Sequence, residues 1–268
     1  MLRASLPRIC AQRNLVACCR QYSTKNTPSD LAATLPASID YPNPRWFSDL
    51  QSRIKRSMTP ELPKAKFEGA EKLLKHTEQH WLGLLAGREG FITDFDYRGL
   101  DRQPIFWGDM ARHVNNVMYN RYAESARVNF FRNHGKDATE GRGQLWDDLL
   151  TPRGLGLILK SIKTEFKFPM TFPDNVTVLN RLVEAPTTET HDLMLEVWII
   201  SEKHRRLAAR CLEEVTVYDY QAGKKATLAP FMVEKLNETW ELQEKSRARF
   251  NEEAQRVAEA LDTINSLK

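Results

Sequence analysis

FWGDMARHVNNVMYNRYAESARVNFF, Phe106 to Phe131, is the stretch that decides what this chain folds into. A strand-like entry leads to a Gly108-Asp109 turn, and His113 then precedes two asparagines and a run with helical spacing. Asn115 and Asn116 can cap that helix, because a side-chain oxygen there accepts from first-turn N–H groups that lack a partner. The body of the helix runs to His134-Gly135, a glycine stop. Small residues at Ala123, Ser125 and Ala126 let its middle lie close against a sheet. Glu124 and Arg127 lie on the face of that helix that reads as buried.

Downstream the periodicity changes from helix to strand. LGLILKSIKTEFKF (Leu155–Phe168) alternates twice, with Leu155, Leu157 and Leu159 on one parity and Ile162, Thr164, Phe166 and Phe168 on the other. The change at Lys160-Ser161 predicts a bulge that bends the strand. Further strands are expected over Val176–Val183, Leu193–Ser201 and Leu207–Tyr218 after a turn at Pro169–Asn175. Cys211 falls on the core parity and reads as a small buried residue. One central helix followed by long antiparallel strands, without a βαβ rhythm, is an α+β pattern.

Upstream, FITDFDYRGLDRQ is expected as a loop into a strand at Pro104–Trp107. GAEKLLKHTEQHWLGLLAG (Gly69–Gly87) has helical spacing. Its His76 and His80 lack the glutamate directly after the first histidine that a zinc-protease helix needs, so no metal is expected. The Pro/Ser-rich residues 23–66 read as a linker with one amphipathic piece, Trp46–Arg56. From Pro230 onward a helix is expected, in which Phe250, Ala254, Val257, Leu261 and Ile264 step like a heptad. That face can dock a protein partner or pack on its own domain. The divisions are therefore 1–22, 23–66, 67–101, 102–229 and 230–268.

Charge sorts the function classes. The net charge of +4 equals the four arginines Arg3, Arg8, Arg13 and Arg20, and the first acid is Asp30. The remaining body is neutral, without a basic patch, which argues against a nucleic-acid partner. The acid-free, Arg-rich residues 1–22 have the composition of a mitochondrial transit peptide, with Arg20-Gln21-Tyr22 before Ser23-Thr24 as the processing site. A matrix location is expected. No apolar run is long enough to span a membrane.

The motif WGDM…HVNNVMYNRYAESAR resembles that of hotdog-fold thioesterases of the 4-hydroxybenzoyl-CoA type, in which a Gly-Asp-x-Asp turn precedes HVNN and a helix of pattern Y-x-x-Y/W-x-E-x-A-R. Tyr119, Tyr122, Glu124, Ala126 and Arg127 match that helix, and FKFPMTFPDNVTV resembles the family's second and third strands. The resemblance covers Arg102 to Tyr220 and is similar to mitochondrial fungal members. It implies a long central helix wrapped by a curved antiparallel sheet, here with N-terminal and C-terminal helical extensions. It also implies a homodimer or tetramer, an acyl-CoA substrate and no cofactor beyond the CoA of that substrate.

As implied by the resemblance, Asp109 or Glu124 is the catalytic carboxylate, His113 polarises the thioester carbonyl, and Asn115, Asn116 and Tyr119 contact substrate. The structural alternatives stand beside these roles: turn bracing for Asp109, loop closure for His113, capping for the asparagines, and an Arg127 partnership for Glu124. The loop between Met110 and His113 is two residues shorter than the family pattern and lacks its second Asp. That motivates a rival, a hotdog protein without chemistry that serves as a structural or assembly partner. A transcript encoding two further residues after Met110 would remove the rival's main support.

Overall fold

The parity change at Lys160-Ser161 is a bulge. In the computed structural model β2 (Leu155–Phe166) pairs with β5 (Arg206–Asp219), and the register slips between Leu159 and Ser161. The slip keeps Leu155, Leu157 and Leu159 on the same face as Ile162 and Thr164, although their sequence parity differs. The structure describes residues 45–58, 63–105, 113–136 and 142–266. Residues 1–22, and with them the expected leader, lie outside the described residues.

Among the described residues, α-helices and one short strand precede the long strands. They are α1 (Trp46–Arg56), α2 (Lys64–Gln79), α3 (Trp81–Ala86), β1 (Leu100–Pro104) and the central helix α4 (Asn116–Asn133). A short α5 (Arg142–Asp148) leads into β2, followed by β3 (Asn175–Leu182), β4 (Asp192–Ser201), β5, a two-residue β6 (Lys224–Lys225) and α6 (Pro230–Ser266). All strand pairs are antiparallel, in the order β1-β3-β4-β5-β2, with β6 on β5. This is the α+β hotdog architecture, with α4 against one face of the sheet. β1 lies earlier than the spacing suggests: it pairs with β3 through Leu100, Gln103 and Pro104, and the Ile105 N–H still donates to the Asp174 carbonyl at 3.1 Å. Phe106 and Trp107 lie outside the described residues.

Alternation assigns the two faces. Val178, Val197, Ile199, Ala209 and Cys211 turn toward α4 and bury Tyr119, Tyr122, Ala123 and Ala126. Both alanines are fully buried, whereas Ser125 is exposed, so only two of the three small residues serve the close approach. A second cluster joins Phe130, Phe131 and Trp146 to Leu193, Leu195, Val215 and Val217, with Met232 and Leu236 of α6.

The opposite face is also covered. Phe91 packs on Trp198 with ring centres 4.8 Å apart, and the Arg181 guanidinium lies 5.4 Å from the Phe91 ring centre. Between them Glu196, with no exposure, accepts from Arg181 (2.5 and 3.0 Å), Arg210 (2.6 Å) and the Trp198 indole (2.8 Å). Such a network in a low-dielectric setting requires every partner, because an unpaired buried charge is costly.

α6, 37 residues long, spans roughly 55 Å at 1.5 Å per residue. Its first turns enter the core; its middle holds the Leu182 backbone through the Gln243 amide, which accepts at 2.8 Å and donates at 3.0 Å. Further on, the Phe250 ring sits where a side chain on Gly83 or Gly87 would stand, within 2.1 and 2.2 Å of an added Cβ. Val257, Leu261 and Ile264 then bury Leu50 and Ile54 of α1 and Leu73 of α2. The heptad-like face is thus occupied by helices of the same chain.

Candidate functional site

The start of α4 is built by one asparagine and one turn. Asn115, with extended backbone (φ −59°, ψ 141°), accepts from the Val117 N–H through Oδ1 at 3.0 Å. That bond satisfies one of the donors that a helix N-terminus leaves over, and the aligned peptide dipoles concentrate partial positive charge there. Asn116 is the first helical residue and its side chain is exposed. Just before the cap, Val114 is buried and its N–H donates to the Met170 carbonyl at 2.9 Å. His113 is exposed, with Nδ1 3.4 Å from the Val114 carbonyl oxygen. Asp109 lies outside the described residues.

Tyr119 closes the other side. Its hydroxyl accepts from the Met170 N–H at 3.3 Å and lies 3.5 Å from the Phe168 carbonyl oxygen. Burial pushes the phenol upward from its usual range. The hydroxyl therefore braces the 168–170 turn against the helix, and the ring meets Phe166 edge-on at 5.2 Å. Around this end Val117, Phe166 and Phe172 are exposed, giving the helix start an apolar surround open to solvent.

Glu124 is not part of this cluster. It lies eight residues beyond Asn116, about 12 Å along the axis, with its side chain 58% exposed and Arg121 at 4.0 Å. Within one chain it cannot reach a carbonyl held at the helix start. The expected pairing with Arg127 is also corrected: Arg127 turns beneath the helix and bonds Glu213 of β5 at 2.6 Å. Glu213 is fully buried, and desolvation raises its carboxyl above the ordinary range, against the lowering by Arg127. Its second oxygen has no hydrogen-bond partner among the described residues. The sequence carried a signal for it: Glu213 shares the core-facing parity of Cys211, Val215 and Val217.

Next to it, Thr164 donates to the Asn120 side chain at 2.8 Å and lies 3.5 Å from the Cys211 sulfur. Burial pushes the Cys211 thiol up to about 11, so it stays protonated and inert at neutral pH. On α2, His76 is bound to Glu253 of α6 at 2.5 Å, with the His80 ring 4.6 Å away. Among the described residues no group of His, Cys, Asp and Glu is arranged to hold a metal ion, and no helix is long and apolar enough to cross a membrane.

The chemistry available at the helix start is therefore electrostatic: the positive end of the helix dipole, an imidazole two residues before the cap, and apolar walls. Residues 104–236 match the model of the thioesterase-like superfamily. A search of curated proteins finds no match. Solved structures with similarity include a thioesterase from Thermus thermophilus complexed with coenzyme A and zinc. It is 20% identical, covers 56% of this chain and 98% of its own, and has a TM-score of 0.43. A Staphylococcus aureus protein in complex with CoA is 14% identical over 53% of this chain and 82% of its own, with a TM-score of 0.43. From the end of β1 into the first turns of α6, this chain carries the sequence pattern of the thioesterase-like superfamily on a hotdog fold.

Proposed function

We propose that this chain hydrolyses acyl thioesters of coenzyme A in the mitochondrial matrix, working as a homodimer. The match of residues 104–236 to the thioesterase-like superfamily carries this reading. In the proposed mechanism the N-terminus of α4 draws the thioester carbonyl oxygen, stabilising the charge that develops as the carbonyl is attacked. His113 orients or polarises that carbonyl, and Asp109 activates water or attacks. Water adds to the carbonyl carbon, the C–S bond breaks, and the thiolate leaves as CoA once protonated. The acid-free residues 1–22 support the location, and the outer edge of β2, which pairs with no strand among the described residues, supports sheet-to-sheet pairing of two copies.

The second reading is a hotdog protein without chemistry, favoured by the two-residue shortening between Met110 and His113. CoA release from a panel of acyl-CoAs, using protein beginning at Ser23, separates the two. The enzyme reading expects turnover abolished by Asp109→Asn, with Glu124→Gln retaining it unless a partner copy brings Glu124 to the site. An inactive native protein that gains turnover when the loop is lengthened to restore its second Asp supports the scaffold reading instead.

A further inference from the structure

The average neutrality of the body hides an uneven distribution. Pro104 pairs with Asn175, Val176 with Ser201, and Ser201 with Arg206, so the β4–β5 hairpin shares the end of the sheet where α4 begins. That hairpin reads Glu202-Lys203-His204-Arg205-Arg206, with Lys163 and Lys167 on and just after β2. This is a basic cluster on a body whose net charge is neutral.

Its acids are already engaged. Glu202 accepts from Thr177, and the Asp174 carboxylate accepts from Ser201 (2.5 Å) and from the N–H groups of Asn175 (2.7 Å) and Lys203 (3.0 Å). Glu165 is held between Lys163 at 3.1 Å and Lys167 at 2.9 Å. Arg205 reaches Glu78 at 3.6 Å. Among the described residues Lys203 and Arg206 form no ion pair, and the buried Arg206 Nε has no acceptor.

Arg206 is also held flat. Its guanidinium lies 4.7 Å from the centre of the Phe168 ring, and the His204 ring meets the same phenyl at 4.8 Å. Phe168 packs on the cluster that contains Val114 and Tyr119. One aromatic side chain therefore separates these cations from the start of α4. A half-buried guanidinium held over an aromatic ring, beside a solvated ammonium and an imidazole, suits an anion with several oxygens, which is the chemistry of phosphate.

We propose that the Lys203–Arg206 hairpin binds the phosphate groups of a nucleotide-bearing thioester carrier, the diphosphate and ribose phosphate of coenzyme A, while the thioester lies at the helix start. The proposal rests on the thioesterase reading, and its test keeps the two apart. Calorimetry with coenzyme A and with adenosine 3′,5′-bisphosphate, at low and high salt, compares the native protein with Lys203→Ser and Lys203→Ser/Arg206→Gln. In parallel, KM is measured for one acyl group carried by CoA and by pantetheine, which lacks the phosphates.

The double variant is expected to weaken CoA and bisphosphate binding about tenfold, flatten their salt dependence, and raise KM for the CoA thioester alone. Lys203→Ser, an exposed change, gives part of this effect and keeps the test valid if the double variant unfolds. Native protein that does not bind CoA, or binding indifferent to both variants, overturns the hairpin site even if thioesters are turned over. Hairpin-dependent CoA binding without turnover of either thioester sinks the hydrolase reading and leaves the site standing.

Discussion

His134 is the group through which acid should destabilise this fold most directly. It caps the C-terminal end of α4 and is buried between Phe130, ring centres 4.7 Å apart, and Trp146, 4.9 Å apart. The neutral ring fits its neighbours when Nδ1–H donates to the Phe130 carbonyl at 2.7 Å and Nε2 accepts from the Thr239 hydroxyl at 2.9 Å. Protonating Nε2 would force Thr239 to turn its hydrogen toward the Lys235 carbonyl, 3.0 Å away. A local acceptor therefore exists for that hydrogen, and the cost is desolvation of the cation. Burial depresses the imidazole from 6.5 to about 4. The nearby helix C-terminus favours the cation and offsets only part of that cost.

Between those two values the unfolded chain binds the proton more readily than the folded one, so stability rises with pH in that window. The contribution is fully present above 6.5, about 2 kcal/mol of it is gone by pH 5, and about 3 kcal/mol is gone below pH 4. Urea unfolding of native protein and of His134→Gln, followed by tryptophan fluorescence from pH 4 to 8 at fixed protein concentration, isolates the effect. Other titrating groups cancel in the difference between the two proteins. The native protein should lose its advantage over the variant as pH falls through this window. A difference constant to within 1 kcal/mol across the range would refute the reasoning.

Other changes test the packing. Glu196→Ala leaves the Arg181 and Arg210 guanidiniums facing each other in a buried site, and should lower the unfolding free energy by about 3–5 kcal/mol in the same urea assay. Gly83→Ala improves helix propensity yet should destabilise by about 1–3 kcal/mol, since the new methyl overlaps the Phe250 ring; adding Phe250→Ala should recover part of that loss. Asn115→Ala removes the α4 cap and should cost about 1 kcal/mol by thermal melting. Cys211 should resist iodoacetamide in the native protein and react only in denaturant, as read by mass spectrometry.

What the sequence made legible follows from what kind of signal each feature leaves. A bulge is a parity change, so the slip beside Ser161 could be read from alternation alone. The α4 cap was readable because capping is local, confined to Asn115 and the next two residues. The amphipathic piece Trp46–Arg56 is a helix with those same bounds. Pairings across the fold leave no such mark. Arg127 had Glu124 three residues away and still bonded Glu213, eighty-six residues later, because the helix had to lie on β5 before that carboxylate came within reach. The heptad-like stepping near the C-terminus identified an apolar face, yet nothing in it names α1 and α2 as the surface it covers. Net charge is likewise an average, and it cannot show that a hairpin has its acids engaged in turns while its cations gather at one end of the sheet.

The span of α6 has a consequence for how the chain can be made and moved. α1 and α2 come early in the sequence, but Leu50, Ile54 and Leu73 are covered by Val257, Leu261 and Ile264, about two hundred residues later. A chain emerging N-terminus first, from a ribosome or through a translocation pore, must therefore carry that apolar surface bare until its last few turns are released. Whatever attends it in the interval has to shield the beginning of the molecule while waiting for its end.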